Sequence, residues 1–338
     1  MSGPVSEDAI LACVDRYFAA AHPSLLLARG DDCAVLRPSG PLCLSTDLFL
    51  EDVHFRRAYF TPQEIGHKAL AVNVSDLAAC GAKPLAFTLS LGLPPDVDVA
   101  MLEGLFAGMS ALAERLRMGL AGGDLSRADK LCLSITAWGE GGGQSGAGRQ
   151  WLSRGGAQPG ETLFLIGGLG LARAGFHLLE SEGRKALESW PAVCAAHLMP
   201  QPQADAGQIL SRLGQKTDHP PALMDVSDGL ARDLPRLLGM PRSGLGAELL
   251  IPEAMLHAEL ARYARERGKD PVSEAYLGGE DYALLGACSP RLLSSLHAAL
   301  PDLREIGTVT GSGAIGLNGD LVRDDPGFDH FLQRPSLP

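Results

Sequence analysis

Residues 139–148 read Gly-Glu-Gly-Gly-Gly-Gln-Ser-Gly-Ala-Gly, the sharpest break in composition along the chain. A polar, glycine-rich run of this kind forms a flexible linker or a long loop, because it has little to bury and much backbone freedom to lose. The chain has 338 residues, more than a single hydrophobic core usually serves. Two domains are therefore expected, 1–148 and 149–338, with the glycine run at their boundary.

Periodicity and capping signals place elements on both sides of that boundary. An amphipathic helix is predicted over Glu7–Ala20. Thr61-Pro62-Gln63-Glu64 is a strong helix start, with a capping hydroxyl, a proline in the first turn and a glutamate three residues after the cap. That helix should run to about Cys80 and stop at Gly81. Apolar residues recurring at Leu102, Leu105, Phe106, Met109 and Leu112 predict a helix over Val97–Met118, closed by Gly119. Strands are predicted at Cys33–Leu36, Leu42–Leu44, Leu85–Leu93 and Lys130–Trp138. In the second part, strands fit Thr162–Ile166, Ala222–Val226 and Tyr282–Ala287. Helices fit the segment from Gly170 to about Glu182, the stretches 188–199 and 203–213, Asp228–Leu238 and Leu292–Leu300. Asn318-Gly319 reads as a two-residue hairpin turn. Neither part alternates strand and helix regularly, which predicts an α+β fold rather than a doubly wound sheet.

The formal net charge is −11, which argues against a broad nucleic-acid or anionic-membrane surface. Seven cysteines occur without a C-x-x-C pair, as expected for reduced thiols in a cytoplasmic protein. The first twenty residues lack a signal-peptide core, and no run reaches the ~18 apolar residues of a membrane span. The sequon Asn73-Val74-Ser75 is discounted for the same reason.

Gly167-Gly168-Leu169-Gly170 lies between a strand and a helix, yet position 173, where a dinucleotide fingerprint needs glycine, is Arg173. A structural turn is the better reading. What stands out is a set of carboxylates at strand ends and tight turns: Gly30-Asp31-Asp32, Ser45-Thr46-Asp47, Asn73-Val74-Ser75-Asp76, Gly122-Gly123-Asp124, Asp225-Val226-Ser227-Asp228 and Gly278-Gly279-Glu280-Asp281. Any one of them has an ordinary explanation as a cap or turn residue. Asp76, however, falls near a helix C-terminus, where the dipole disfavours a carboxylate and a bound cation would remove the penalty. Asp47 and Asp225 follow short apolar strands, where carboxylates face clefts. Hard oxygen donors without histidine or cysteine clusters imply magnesium.

These stretches carry a family likeness. Gly30–Leu36, Ser45–Phe55, Lys68–Ala82, Gly122–Asp124, Ser153–Gly160, Asp225–Leu230 and Gly278–Tyr282 resemble, in order and spacing, the motifs of the thiamine-monophosphate kinase family. That family belongs to the superfamily of aminoimidazole ribonucleotide synthetase, selenophosphate synthetase and a hydrogenase maturation factor. The resemblance implies a two-domain aminoimidazole ribonucleotide synthetase-like α+β fold, with N-terminal domains pairing as a dimeric β-barrel and a C-terminal α/β sandwich. It implies transfer of a phosphoryl group from ATP to thiamine monophosphate in a homodimer. Carried over by motif, Asp32, Asp47, Asp76, Asp124, Asp225 and Asp228, with Ser45 and Thr46, would hold several Mg²⁺ ions. Gly123, Arg154 and Ser227 would contact ATP, while His54, Glu280 and Phe328 would line the thiamine site. No general base is expected, because a phosphate monoester with a second pKa of about 6 is already ionised.

Departures from the family pattern are Ala28-Arg29 before Gly30, Leu125-Ser126 after Asp124, Ala283 after Tyr282, and Phe328 where tyrosine or tryptophan is usual. The alternatives are another ATP-using enzyme of the same superfamily and a non-catalytic nucleotide sensor. The chain ends Arg334-Pro-Ser-Leu-Pro338 without a cysteine and has no Cys-Lys pair near its start, which disfavours the maturation factor and selenophosphate synthetase. Arg127 is a further candidate phosphate contact, and wild-type nucleotide affinity in Arg127→Ala would dismiss it.

Overall fold

The computed structural model describes residues 6–19, 22–30, 32–141 and 151–322. Asp31, Phe328 and most of the glycine run lie outside the described residues. In the first part the order is α1 (Glu7–Tyr17), β1 (Leu25–Leu27), β2 (Val35–Leu36), β3 (Leu42–Leu50), α2 (Pro62–Ala79), β4 (Ala82–Leu93), α3 (Val99–Leu116), β5 (Gly119–Arg127) and β6 (Cys132–Gly141). The capping box at Thr61 forms as expected. The Thr61 hydroxyl accepts from the Glu64 amide at 3.3 Å and Glu64 accepts from the Thr61 amide at 2.7 Å.

Strands β3, β6, β4 and β5 form a sheet in that order, antiparallel except for the β4–β5 pair, which α3 connects. Period-2 alternation along β3 turns Cys43, Ser45, Asp47 and Phe49 inward and leaves Leu44 66% and Leu48 58% exposed on the outer face. The sheet is open, with β3 and β5 as its edges. Asp47 therefore lies inside a strand rather than after one. Asp124 lies within edge strand β5, not in a turn; the run Gly119-Leu-Ala-Gly-Gly reads locally as a loop and becomes extended by pairing with β4.

Helix α2 is buried on nearly every side, the mark of a helix at the centre of a structure. Glycines make its contact with α3 close: a Cβ on Gly66 would stand 1.9 Å from the Leu105 carbonyl oxygen, and one on Gly108 1.9 Å from that of Gln63.

The second part contains β7 (Thr162–Ile166), α4 (Leu171–Glu182), α5 (Ala186–Ser189), α6 (Pro191–Leu198), α7 (Ala204–Gly214), β8 (Ala222–Val226), α8 (Leu230–Leu238) and β9 (Gly246–Leu249). After these come α9 (Ala258–Glu266), α10 (Pro271–Leu277), β10 (Ala283–Cys288), α11 (Pro290–Ala299), β11 (Arg304–Thr310), β12 (Ile315–Leu317) and β13 (Asp320–Leu321). The sheet order is β13-β12-β9-β11-β7-β10-β8, antiparallel except for β9–β12. Leu163, Leu165, Leu285 and Ile306 bury against one helical layer, while Phe164, Ile166, Leu223 and Leu284 bury against α7 and α11. The architecture is α+β with helices on both faces of the larger sheet. Asn318 and Gly319, both at positive φ, make the expected hairpin turn.

Gly66→Ala should lower stability by about 1–3 kcal/mol through overpacking, whereas Gly156→Ala, with nothing within 4 Å of the added Cβ, should not. Thermal melts of the two variants check this.

Candidate active site

The last turn of α2 lies between the two sheets and is tied to both. Ser45 of β3 donates its hydroxyl hydrogen bond to Asp76, and Ser75, one residue earlier, donates to Asp225 of β8 at 2.7 Å. Arg154 arrives from the segment that re-enters after the glycine run. There the Leu152 amide donates to the Cys80 carbonyl at 2.9 Å, and the Leu223 amide donates to the Ser153 carbonyl at 3.2 Å.

The resulting group is short of positive charge. Burial, reinforced by the charge of Asp76, pushes Asp47 up to about 6 and Asp225 up to about 7. Burial also raises Asp76, against the opposing effects of the Ser45 hydrogen bond and the Arg154 charge. Tyr282 is raised by burial and then by the charges of Glu280, Asp225, Asp47 and Asp76. Such a site is disfavoured when ionised and is relieved by a cation. Its donors are all oxygen. Among the described residues, no three His, Cys, Asp or Glu side chains are grouped as a metal centre on their own.

Other expected residues stand apart from this group. Thr46 points outward and bonds the Thr136 hydroxyl at 2.9 Å. Asp124 is exposed on β5 in the row of Ser90, Ser134 and Leu48, across the sheet from β3. Gly123 beside it admits no side chain, since a Cβ would stand 1.8 Å from the Leu89 oxygen. Asp32 is exposed between β1 and β2. Asp228 is ion-paired to Arg236 at 2.6 Å, and Arg236 also reaches Asp233 at 2.8 Å. His54 accepts from the Leu50 amide at 3.0 Å and stacks on Phe49. The Ser227 carbonyl accepts from the Glu280 amide at 2.7 Å. Asp281, the neighbour of Glu280, caps α4 by accepting from the amides of Gly170 and Ala172, so the Gly167–Gly170 turn is structural.

Sequence reasoning passed over Ser75, Lys68, His197 and Tyr282. A lysine followed by Ala69-Leu70-Ala71-Val72 was a signal that Lys68 is buried; His197, on a separate helix, left none.

An open sheet flanked by helices, joined through acidic side chains to a second α+β layer, places the chain in a known class. Residues 30–140 match the family described as AIR synthase related protein, N-terminal domain. The thiamine-monophosphate kinase of Aquifex aeolicus is 33% identical over 303 residues, covering 89% of this chain and 92% of the relative. The solved thiamine-monophosphate kinase of Stenotrophomonas maltophilia superposes with a TM-score of 0.78 at 30% identity, covering 94% of this chain and 98% of that one. A structure of AaThiL complexed with AMPPCP and TMP gives 0.75 at 32% identity, with 96% and 97% covered. The chain belongs to the thiamine-monophosphate kinase family.

Asp225 keeps its proton in the folded protein up to about pH 7, but in the unfolded chain only to about pH 4. Folding therefore loses stability as pH rises through that window. Without divalent cations, Asp225→Asn should melt above the wild type by roughly 2 °C or more at pH 8, and the difference should shrink markedly at pH 5. Scanning calorimetry at the two pH values checks this.

Proposed function

We propose that this chain transfers the γ-phosphoryl group of ATP to thiamine monophosphate, releasing ADP and thiamine diphosphate. The observation that carries the reading is the convergence of Ser45, Asp47, Asp76, Asp225 and Arg154 between the two parts of the chain. Membership of the kinase family and the AaThiL complex with AMPPCP and TMP support it. The acceptor is a phosphate monoester, already ionised near neutral pH and in no need of a general base. The obstacle is repulsion between a monoester and a triphosphate, so alignment and charge neutralisation are what the protein must supply.

An oxygen-only donor set suits magnesium, which when bound there would neutralise phosphate charge. Asp47, Asp76 and Asp225, with Ser45, are its holders on this reading. Asp32, Asp124, Asp228 and Thr46 would join with bound nucleotide. Gly123, Ser227 and the guanidinium fork of Arg154 hold ATP. His54, Glu280 and Phe328 take the thiamine moiety. Seven free thiols fit the cytoplasm as its setting, and no described helix is long and apolar enough to cross a membrane.

A homodimer accounts for Asp124. Within one chain Asp47 and Asp124 lie on opposite edge strands of the sheet. A second copy closing the sheets into a barrel, edge to edge, would bring β5 of one chain against β3 of the other and cover the exposed Leu44 and Leu48.

With ATP, Mg²⁺ and thiamine monophosphate, the wild type should form thiamine diphosphate one-for-one with ADP, and Asp47→Asn should lose roughly 100-fold or more of the rate. Product chromatography decides; ATP binding without product would overturn the kinase reading. Co-assembled Asp47→Asn and Asp124→Asn chains should regain about a quarter of wild-type activity, because half of the dimers would hold one intact shared site. No recovery on mixing would mean that each chain builds its site alone.

A further inference from the structure

Lys68 lies in the middle of α2 with none of its side chain exposed. A buried ammonium is tolerated only where a counter-charge meets it. That counter-charge is Glu280, whose Oε2 lies 3.2 Å from Lys68 Nζ. His197 of α6, itself buried, brings Nδ1 to the same oxygen at 3.0 Å. Both holders thus grip one carboxylate oxygen. The other, Oε1, has no partner among the described residues, and the Glu280 side chain keeps 31% of its surface exposed.

The protonation pattern follows from the donors available. An ionised carboxylate only accepts, while the Lys68 ammonium, 3.4 Å from the same Nδ1, only donates; with its proton on Nδ1, His197 donates to Glu280. Burial, reinforced by Lys68, pushes the His197 pKa down and keeps the ring neutral, which leaves the buried Nε2 without a partner. Burial by itself would raise Glu280, but Lys68 and then His197 reverse this and hold it well below the usual carboxylate range. A protonated His197 would make the trio net positive and repel a cation. A neutral one adds a hydrogen bond to Glu280 while adding no charge.

The surroundings add rigidity. Lys68 Nζ stands 5.5 Å from the Phe60 ring centre, and Phe60 and Phe176 pack against His197 at 5.3 and 5.5 Å. Glu280 adopts φ 63°, a left-handed conformation uncommon outside glycine that persists only where surroundings enforce it.

We propose that Lys68 and His197 are positioning residues that clamp one oxygen of Glu280, so that the other stays fixed for the amino-bearing heteroaromatic ring of the phosphoryl acceptor. The proposal rests on the reading of Glu280 as a thiamine contact. A clamp of this kind acts on acceptor binding and leaves the nucleotide end of the site alone. A structural staple between α2 and the β8–β10 region would instead affect both substrates through stability.

The test is steady-state kinetics for both substrates, with melting temperatures, on the wild type, Glu280→Gln, Lys68→Met, His197→Leu and His197→Asn. His197→Leu should raise the KM for thiamine monophosphate about ten-fold or more, with the KM for ATP and kcat within about two-fold. His197→Asn, which returns an amide N–H to the Nδ1 position, should restore the lower KM. Lys68→Met should do at least as much harm; if it does not fold, the His197 pair still decides. An unchanged acceptor KM in His197→Leu overturns the proposal, as does a parallel rise in both KM values with a fall in melting temperature. An unchanged acceptor KM in Glu280→Gln removes the thiamine contact itself. A wild type without turnover removes the kinase reading beneath both.

Discussion

Two hydrogen bonds from one helix turn fix the distance between the sheets. Ser75 reaches Asp225 on the larger sheet, and Asp76 receives Ser45 from the smaller one. Neither strand can slide along α2 without breaking its bond and leaving a half-buried polar group unmet. The turn can serve both sheets because α2 is packed on nearly every side. Gly66 and Gly108 admit the close approach of α3, and Gly207 of α7 that of the Ala78 carbonyl. A close-packed interior transmits position rather than absorbing it.

The same geometry creates the site's electrostatic character. Bringing β3, α2 and β8 together forces Asp47, Asp76 and Asp225 into a volume that Arg154 alone does not neutralise. Folding raises these carboxylates, so the apo protein carries the cost of a place for positive charge. Glu280 is the opposite case. Lys68 and His197 lower it, and it stays ionised whether or not a ligand is present. Environment alone separates the two kinds of acid, lowering the one and raising the others.

Much of this was legible in the sequence. The capping box at Thr61, the strands at Thr162–Ile166 and Ala222–Val226 and the Asn318-Gly319 turn all rest on chemistry within a few residues, and they form where expected. Family motifs singled out Ser45, Asp47, Asp76 and Asp225, and the fold ties Ser45 to Asp76 and Asp225 to the same helix turn. Strand β5 was not legible, because its glycines favour a loop locally and only pairing with β4 extends them. The facing of Asp124 depends on that register, and the partners of Glu280 depend on contacts between distant segments. His197 and Lys68 lie 129 positions apart, and no local pattern encodes their meeting.

Tyr282 shows how the two kinds of acid are joined. It follows Asp281, which is spent on capping α4, and it shares with Glu280 a left-handed backbone, at φ 50° and 63°. The Tyr282 amide donates to the Val226 carbonyl at 2.9 Å, and the Glu280 amide donates to that of Ser227 at 2.7 Å. The loop before β10 is thereby pinned to the end of β8, the strand that carries Asp225. Strain at positions 280 and 282 is sustained by those bonds and by the contacts of Lys68 and His197 with Glu280. Glu280 and the raised carboxylates are therefore set at a fixed separation by backbone hydrogen bonds, independently of either substrate. A reaction that consists mainly of aligning two repelling phosphates requires that separation to be built in before they arrive.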